Sequence, residues 1–264
     1  MTATAPGPLA RRTIVVTRPA ERAARLVNVL DQMGAHTVIA PAIHLTPARS
    51  AALSAAMRDL AAGAYAWIVL TSPATIATLD DRLTSGRDLR AKVAAVGEGT
   101  AAAFRRWAGR EPDLLPRSFT VAGLARAFPK APPAGGRVLC PRADIAPEGL
   151  EDALADKGWT PTRVDAYRTT FPRSLPAEAR AALRAGEVDA ITFTSASTVR
   201  GFIGALGSIG LRGSPKVVCI GPVTAKEARA HGLVVHAVAD PHTTDGLVAA
   251  LERVFTPRRR AAPG

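Results

Sequence analysis

Short apolar runs rich in β-branched residues alternate along the chain with amphipathic stretches of about 10–15 residues,. This alternation is typical of parallel βαβ units, in which helices cover a sheet. In the longer stretches apolar residues recur at helical spacing, as in Leu26, Val29, Leu30 and Met33,. The runs predict strands near residues 13–17, 36–40, 66–71, 92–96, 137–141, 162–168, 189–194, 216–220 and 233–238.

Helix boundaries are marked by residues with special backbone or side-chain properties. Ser72, Ser195 and Thr243 are expected N-caps, because a short side-chain oxygen can accept the free N–H groups of a first turn. Proline follows as the first helical residue at Pro73 and Pro222,. Left-handed helix ends are predicted at three glycines, Gly34, Gly158 and Gly232.

The pattern occurs twice. "IVLTSPATIATL" begins at Ile68 and "ITFTSASTVRGF" at Ile191, so that Thr71 and Thr194 lie 194 − 71 = 123 positions apart. Val96-Gly97 corresponds to Ile220-Gly221, and "TVAGLARAF" from Thr120 corresponds to "TTDGLVAAL" from Thr243. Several junctions in nearly constant register indicate a duplicated α/β unit.

The junctions between strands and helices are the predicted binding sites. In open parallel sheets ligands bind beyond the carboxyl ends of the strands, where helix N-termini present free N–H groups. Such junctions occur at Thr71-Ser72, Gly97-Glu98, Thr194-Ser195 and Gly221-Pro222. Their small residues allow a ligand to reach the backbone, and the helix dipole favours an anion. A well-capped helix with no ligand is the alternative at each junction taken alone.

Composition limits the classes of partner. The formal charge is +12, but Arg11, Arg12 and Arg258–Arg260 lie in tails without acidic residues, which leaves 12 − 5 = +7 for the body. Aromatic residues are only 5% of the chain, and no basic block contains them at intervals. We therefore expect no nucleic-acid partner, and a small polyanionic substrate fits the charge equally well.

Several classes of site are not indicated by any motif. The sequence has no GxGxxG after a strand and no GxxxxGK[ST], and its five histidines form no i, i+4 pair,. Cys140 and Cys219 lie in apolar runs and are expected to be buried, reduced thiols, which favours a cytoplasmic location. No run approaches the roughly 18 apolar residues of a membrane span. Neither a metal, a cofactor nor a membrane is expected.

The sequence resembles the uroporphyrinogen-III synthase family over about residues 13–255. The resemblance rests on motifs in order: "VVTRP" at Val15, "LTSPATI" at Leu70, "AVGEGTA" at Ala95, "VDAYRT" at Val164, "ITFTSASTV" at Ile191, "CIGPVTA" at Cys219 and "DGLVAAL" at Asp245. Val223 departs from the family, where a hydroxyl residue is common at this position, and this puts one side-chain contact in doubt.

The resemblance implies an α/β fold of two similar domains, each a parallel sheet flanked by helices. A two-stranded connector would join them, with a ligand cleft between the domains. The implied limits are 1–42 with 172–264 for the first domain, 46–166 for the second, and 43–45 and 167–171 for the connectors. Composition alone would instead divide the chain near "PKAPPAGG", residues 129–136. The tails, 1–12 and 256–264, are expected to be flexible and to carry no function.

The resemblance also implies an activity. The family cyclises hydroxymethylbilane, a linear tetrapyrrole with eight carboxylates, to uroporphyrinogen III with inversion of the terminal ring and loss of water, and without a cofactor. A monomeric cytoplasmic enzyme is expected. The alternative is a non-catalytic regulatory domain of the same fold that binds a tetrapyrrole or another polyanion.

Candidate residues follow from the motifs. Tyr167 matches the family's tyrosine and is the candidate catalytic acid, although a hinge tyrosine that packs its ring is the alternative. Arg18 either pairs with a substrate carboxylate or forms a surface ion pair. Further substrate contacts are expected from small or polar residues near the junctions: Thr71, Ser72, Gly97, Thr100, Arg142, Thr194, Ser195, Ser197, Gly221 and Thr224.

Overall fold

The computed structural model describes residues 6–80, 83, 86 and 89–256. The strands are β1 (Thr13–Val16), β2 (His36–Ile39), β3 (His44–Pro47), β4 (Trp67–Leu70), β5 (Lys92–Ala95), β6 (Arg137–Ala143), β7 (Thr160–Thr170), β8 (Ala190–Phe193), β9 (Lys216–Cys219) and β10 (Val235–Val238). The helices are α1 (Ala20–Gln32), α2 (Ala51–Ala61), α3 (Pro73–Asp80), α4 (Glu98–Ala108), α5 (Val121–Ala127), α6 (Leu150–Ala155), α7 (Ala177–Ala185), α8 (Ala196–Leu206), α9 (Pro222–Ala230) and α10 (Thr244–Phe255).

The chain forms two compact units. Unit 1 contains the residues up to His44 together with those from Thr170 onward, and unit 2 is Leu45–Thr169. Each unit contains a five-stranded sheet with helices on its faces. The predicted α/β class with two helix-flanked parallel sheets is confirmed.

The sheet of unit 1 has the strand order β10-β9-β8-β1-β2, and its neighbouring strands pair in parallel. Successive side chains of a strand point to opposite faces. Accordingly, Val15 contributes to the core that α7, α8 and α9 cover. Ile14 and Val16 contribute to the core on α1 and α10. Burial on both faces explains why these strands are continuous apolar runs.

The sheet of unit 2 has the order β3-β7-β6-β4-β5. Strand β4 shows the same alternation: Ile68 and Leu70 belong to one core and Trp67 and Val69 to the other. The apolar runs did not indicate β3, because its burial pattern includes no fully buried residue and therefore no apolar face. Only the two-stranded connector implied by the resemblance, 43–45 with 167–171, overlaps this strand and its neighbour β7.

The topology confirms the duplication. The order β9-β8-β1-β2 in unit 1 corresponds to β5-β4-β6-β7 in unit 2, in the pairing that the sequence register predicts. The fifth position of unit 1 is β10. In unit 2 the corresponding position holds a single parallel bridge between Ala94 and Leu114.

The predicted helix boundaries are also confirmed. Ser195 and Thr243 cap α8 and α10, with side chains that accept N–H groups of the first turn. The Oγ of Ser72 accepts from the N–H of Ala74 at 3.1 Å. Positive φ angles occur at all three predicted helix-ending glycines, Gly34 (78°), Gly158 (85°) and Gly232 (78°).

The expectation of a flexible N-terminal tail is wrong from residue 9 onward. Leu9 is fully buried, and Nη1 of Arg12 lies 2.7 Å from Oδ1 of Asp189. The other oxygen of Asp189 accepts from the N–H of Thr13 at 2.9 Å. The segment before β1 is therefore attached to unit 1. Arg258–Arg260 of the C-terminal tail lie outside the described residues.

Within the described ranges, no helix is long and apolar enough to cross a membrane.

Candidate functional site

Helix α8 begins at the carboxyl end of β8 in unit 1. Its N-cap, Ser195, forms a capping box: Ser195 Oγ accepts from the N–H of Thr198 at 3.1 Å, and Thr198 Oγ1 accepts from the N–H of Ser195 at 3.2 Å. The hydroxyls of Ser195 and Ser197 are 2.9 Å apart. Thr194, Ser195 and Ser197 are each partly exposed. This junction therefore offers hydroxyls and first-turn N–H groups to a ligand.

Helix α9 begins after β9 with Gly221 as its N-cap. Because glycine has no side chain, the free N–H groups of the first turn are not covered by a cap. The Thr224 side chain is only 4% exposed, so the contact that Thr224 can offer is its backbone N–H in the first turn. Val223 is 59% exposed beside this junction and supplies no hydroxyl.

Arg18 follows β1 and lies at the same edge of the sheet. Its Nη1 donates to Oγ1 of Thr244, the first residue of α10, at 3.1 Å. Burial, together with the neighbouring charges of Arg22 and Arg25, lowers the pKa of Arg18 from its ordinary value. Among the described residues Arg18 has no carboxylate partner, whereas Arg25 is paired with Asp245 at 2.9 Å. The surface ion pair considered for Arg18 is thus absent from the described part of the chain.

Unit 2 carries the corresponding junctions. Thr71 and Ser72 follow β4, and both are partly exposed. Gly97, the N-cap of α4, follows β5 in extended backbone, as Gly221 does before α9. Thr100 is 3% exposed, and its N–H already donates to the carbonyl of Gly97 at 3.0 Å. Thr100 therefore supports the start of α4 and offers little to a ligand.

Tyr167 lies near the carboxyl end of β7 and is 9% exposed. It belongs to an apolar cluster that includes Ala74, in the first turn of α3, and Ala143, at the end of β6. The pairing of β6 with β7 shifts register between Arg142 and Ala143. Such bulges redirect side chains and occur frequently beside active sites. The structure thus brings Tyr167 to the Ser72 junction.

Arg142 does not have the exposure that a substrate contact needs. Its side chain is 1% exposed, and Nη1 donates to both carboxylate oxygens of Glu151, at 3.1 and 2.9 Å. Its Nε has no partner among the described residues. A buried ion pair of this kind fixes the end of β6 rather than meeting a ligand, so the expected role of Arg142 is corrected to a structural one.

His242 and Thr244 are not among the site residues predicted from the sequence. His242 lies between β10 and α10, and Thr244 is the first residue of α10; both are at the carboxyl edge that carries Arg18 and Gly221. They could have been found from the sequence, because ligands bind beyond the carboxyl ends of parallel strands and this applies to the end of β10 as well. The strand is short and only partly buried, which made its end less evident.

The two cysteines are unsuited to nucleophilic or metal chemistry. Both are buried and free of disulfide bonds. Burial raises the pKa of Cys140, and that of Cys219, to about 12. At neutral pH both are therefore thiols, as the sequence predicted. No cluster of His, Cys, Asp or Glu suited to a metal ion occurs among the residues that the structure places.

Comparison with known proteins gives consistent matches. The family model described as Uroporphyrinogen-III synthase HemD matches residues 24–249. The chain is 30% identical over 258 residues to the Uroporphyrinogen-III synthase of Synechococcus elongatus, and the match covers 93% of this chain and 96% of that protein. It is 34% identical over 247 residues to the Porphyrin biosynthesis protein HemD of Ruminiclostridium josui, covering 91% of this chain but 48% of that protein. The chain thus spans about half the length of that relative.

A solved structure matches as well. The fold is similar to that of a mutant uroporphyrinogen III synthase from the extremely thermophilic bacterium Thermus thermophilus, with a TM-score of 0.63 at 20% identity. The match covers 92% of this chain and 98% of that chain. This likeness shows the fold.

Proposed function

The chain belongs to the uroporphyrinogen-III synthase family, the hydro-lyases of tetrapyrrole biosynthesis, and on that premise we propose that it cyclises hydroxymethylbilane. The terminal hydroxyl leaves and the macrocycle closes onto the last ring. The bond from this ring to its methylene bridge breaks and re-forms at the ring's other α-carbon, so that the ring is inverted and uroporphyrinogen III and water are released.

Arg18 is the single observation that carries this proposal. It is a largely buried cation with two arginine neighbours and, in the described part of the chain, no carboxylate partner. Removing a cation from water without a counterion is costly. A substrate carboxylate bound here would supply the missing charge. The helix starts at Ser195 and Gly221 provide further anion sites on the same edge.

The proposed mechanism is chiefly one of geometry. Backbone N–H groups at the junctions of each unit hold carboxylates, and no flexible side chain has to be ordered for this. Fixing reacting atoms in a near-attack arrangement can supply roughly 7–11 kcal/mol of the barrier at the extreme. Unassisted closure of the bilane gives the uninverted isomer. The shape of the bound chain therefore decides which product forms.

Tyr167 is proposed as the acid that assists departure of the hydroxyl. Its proton goes to the leaving oxygen, which departs as water, while the pyrrole nitrogen supplies electrons to the carbon that loses it. The substituted α-carbon of the last ring then attacks, its bond to the methylene bridge breaks, and the bridge re-forms its bond at the free α-carbon of the same ring. Loss of the proton from that carbon restores the proton balance and leaves the ring inverted.

The proposed substrate contacts comprise residues from both units, namely Arg18, Thr71, Ser72, Gly97, Thr194, Ser195, Ser197, Gly221 and the backbone of Thr224. That the substrate binds between domains with limits 1–42 and 172–264, and 46–166, stays a prediction from the resemblance. A cytoplasmic monomer that acts without a cofactor, metal or nucleic acid is proposed on the same basis.

Turnover tests the enzymatic proposal against the regulatory alternative. Hydroxymethylbilane, supplied in roughly 100-fold excess over the protein so that a single binding event cannot account for its loss, should be consumed much faster than by spontaneous closure. A non-catalytic tetrapyrrole-binding domain would instead protect about one molecule of bilane per protein molecule, and the remaining bilane would close at the uncatalysed rate. That second result would overturn the proposal.

A further inference from the structure

His242 has its two ring nitrogens in different environments. Nδ1 lies 2.7 Å from the carbonyl oxygen of Ala239. Because a carbonyl only accepts, Nδ1 carries the proton and donates it. In the neutral ring Nε2 is then an acceptor. No partner for Nε2 is present among the residues that the structure describes.

The imidazole lies against the start of α9. A Cβ placed on Gly221 would be 3.6 Å from Cγ of His242 and 3.7 Å from Cδ2. The ring is partly exposed, and His242 is followed by Thr243, the N-cap of α10. It therefore borders the junction at which the proposed function places a substrate carboxylate.

The charged groups around this segment are few. Asp240 precedes the histidine and Asp245 follows it, the latter paired with Arg25. Arg18 approaches through its hydrogen bond to Thr244, and the first turn of α9 contains no acidic residue.

The other groups at this edge of unit 1 act mainly as donors: the guanidinium of Arg18 and the first-turn N–H groups of α8 and α9. Donors match the carboxylates of a tetrapyrrole, but each pyrrole ring also carries an N–H that needs an acceptor. We propose that Nε2 of His242 accepts a hydrogen bond from a pyrrole N–H of the substrate. This inference rests on the proposed function and assigns the residue that orients one ring beside Gly221.

Two substitutions separate the nitrogens. His242→Asn keeps a donor near Nδ1 for the Ala239 carbonyl and removes the acceptor. His242→Gln places an amide oxygen close to the position of Nε2. We expect the asparagine variant to raise KM about tenfold, the scale of one lost hydrogen bond, with kcat within about threefold. The glutamine variant should stay within about threefold of the wild type in both constants.

His231→Asn is the matched control. His231 is the residue that ends the same helix, α9, at its opposite end, with Nε2 3.3 Å from Glu227. Its replacement should leave KM unchanged. Thermal unfolding of all variants verifies that the fold is retained.

A wild type that forms uroporphyrinogen III, with an asparagine variant of unchanged KM, overturns this inference alone. An equal rise in KM in the asparagine and glutamine variants also overturns it. A wild type that fails to turn over bilane overturns the proposed function instead.

Discussion

Tyr167 combines a packed ring with a polar hydroxyl, and the two parts have separable roles. The ring contacts small apolar residues from three elements, including Ala74 and Ala143. Removing the whole side chain would therefore disturb packing as well as chemistry. Only a substitution that retains the ring can test whether the hydroxyl acts as the acid.

Replacement of Tyr167 by phenylalanine is expected to lower kcat about 10²-fold, the low end of the range for general acids, because the pyrrole can expel hydroxide without help. The product should remain isomer III, since binding shape decides which face closes. Steady-state kinetics with isomer separation measures both.

Tyr65→Phe is the control for that experiment. Tyr65 is the only other tyrosine of the chain, is 3% exposed, and accepts a hydrogen bond from Arg137 at 3.0 Å. The change there should affect stability slightly and leave kcat unaltered. If Tyr167→Phe and Tyr65→Phe have equal turnover, Tyr167 is a packing residue.

Residue chemistry was predictable from the sequence only where local rules decide it. The caps Ser72, Ser195 and Thr243 follow from short-range hydrogen bonds between neighbours in sequence. The burial of Arg142 does not, because its partner Glu151 reaches it through the fold of α6 onto β6. Motif position placed Arg142 at the correct strand end but could not indicate which way its side chain points.

At the scale of elements, α5 and α10 show the duplication in atomic detail. Each begins with a threonine whose Oγ1 accepts from the N–H of a glycine three residues later, Gly123 at 2.9 Å and Gly246 at 3.1 Å. A Cβ on Gly123 would lie 2.1 Å from the carbonyl oxygen of Ser118, and one on Gly246 would lie 1.9 Å from that of Pro241. Both helices therefore start against a preceding turn that leaves no room for a side chain.

Gly123→Ala and Gly246→Ala should each destabilise the protein, by roughly 1–3 kcal/mol, as overpacking generally does. Gly204→Ala, within α8, has no atom within 4 Å of the added carbon and should stabilise by about 0.5–1 kcal/mol, because alanine favours helix. Urea unfolding of the three variants ranks their free energies of unfolding. If Gly246→Ala has the same free energy of unfolding as Gly204→Ala, the packing argument is contradicted.

At the scale of the whole molecule, the sequence register predicted the duplicated topology because strands buried on both faces produce apolar runs that are easily recognised. It did not predict β3, whose side chains are largely exposed. Nor did it predict the difference between the units at this edge: unit 1 has the strand β10, whereas unit 2 has only a single bridge at Leu114 among its described residues. Edge elements carry a weak pattern because fewer of their residues are buried.

The central claim is that the chain imposes the inverted ring on its product, and the isomer ratio measures this most directly. Chelator-treated, dialysed protein is incubated with freshly made hydroxymethylbilane, and the oxidised products are separated into isomers I and III. A sample without protein reports spontaneous closure. We expect isomer III to predominate with protein and isomer I without it. Isomer I alone in both samples, with the protein folded, would contradict the assignment.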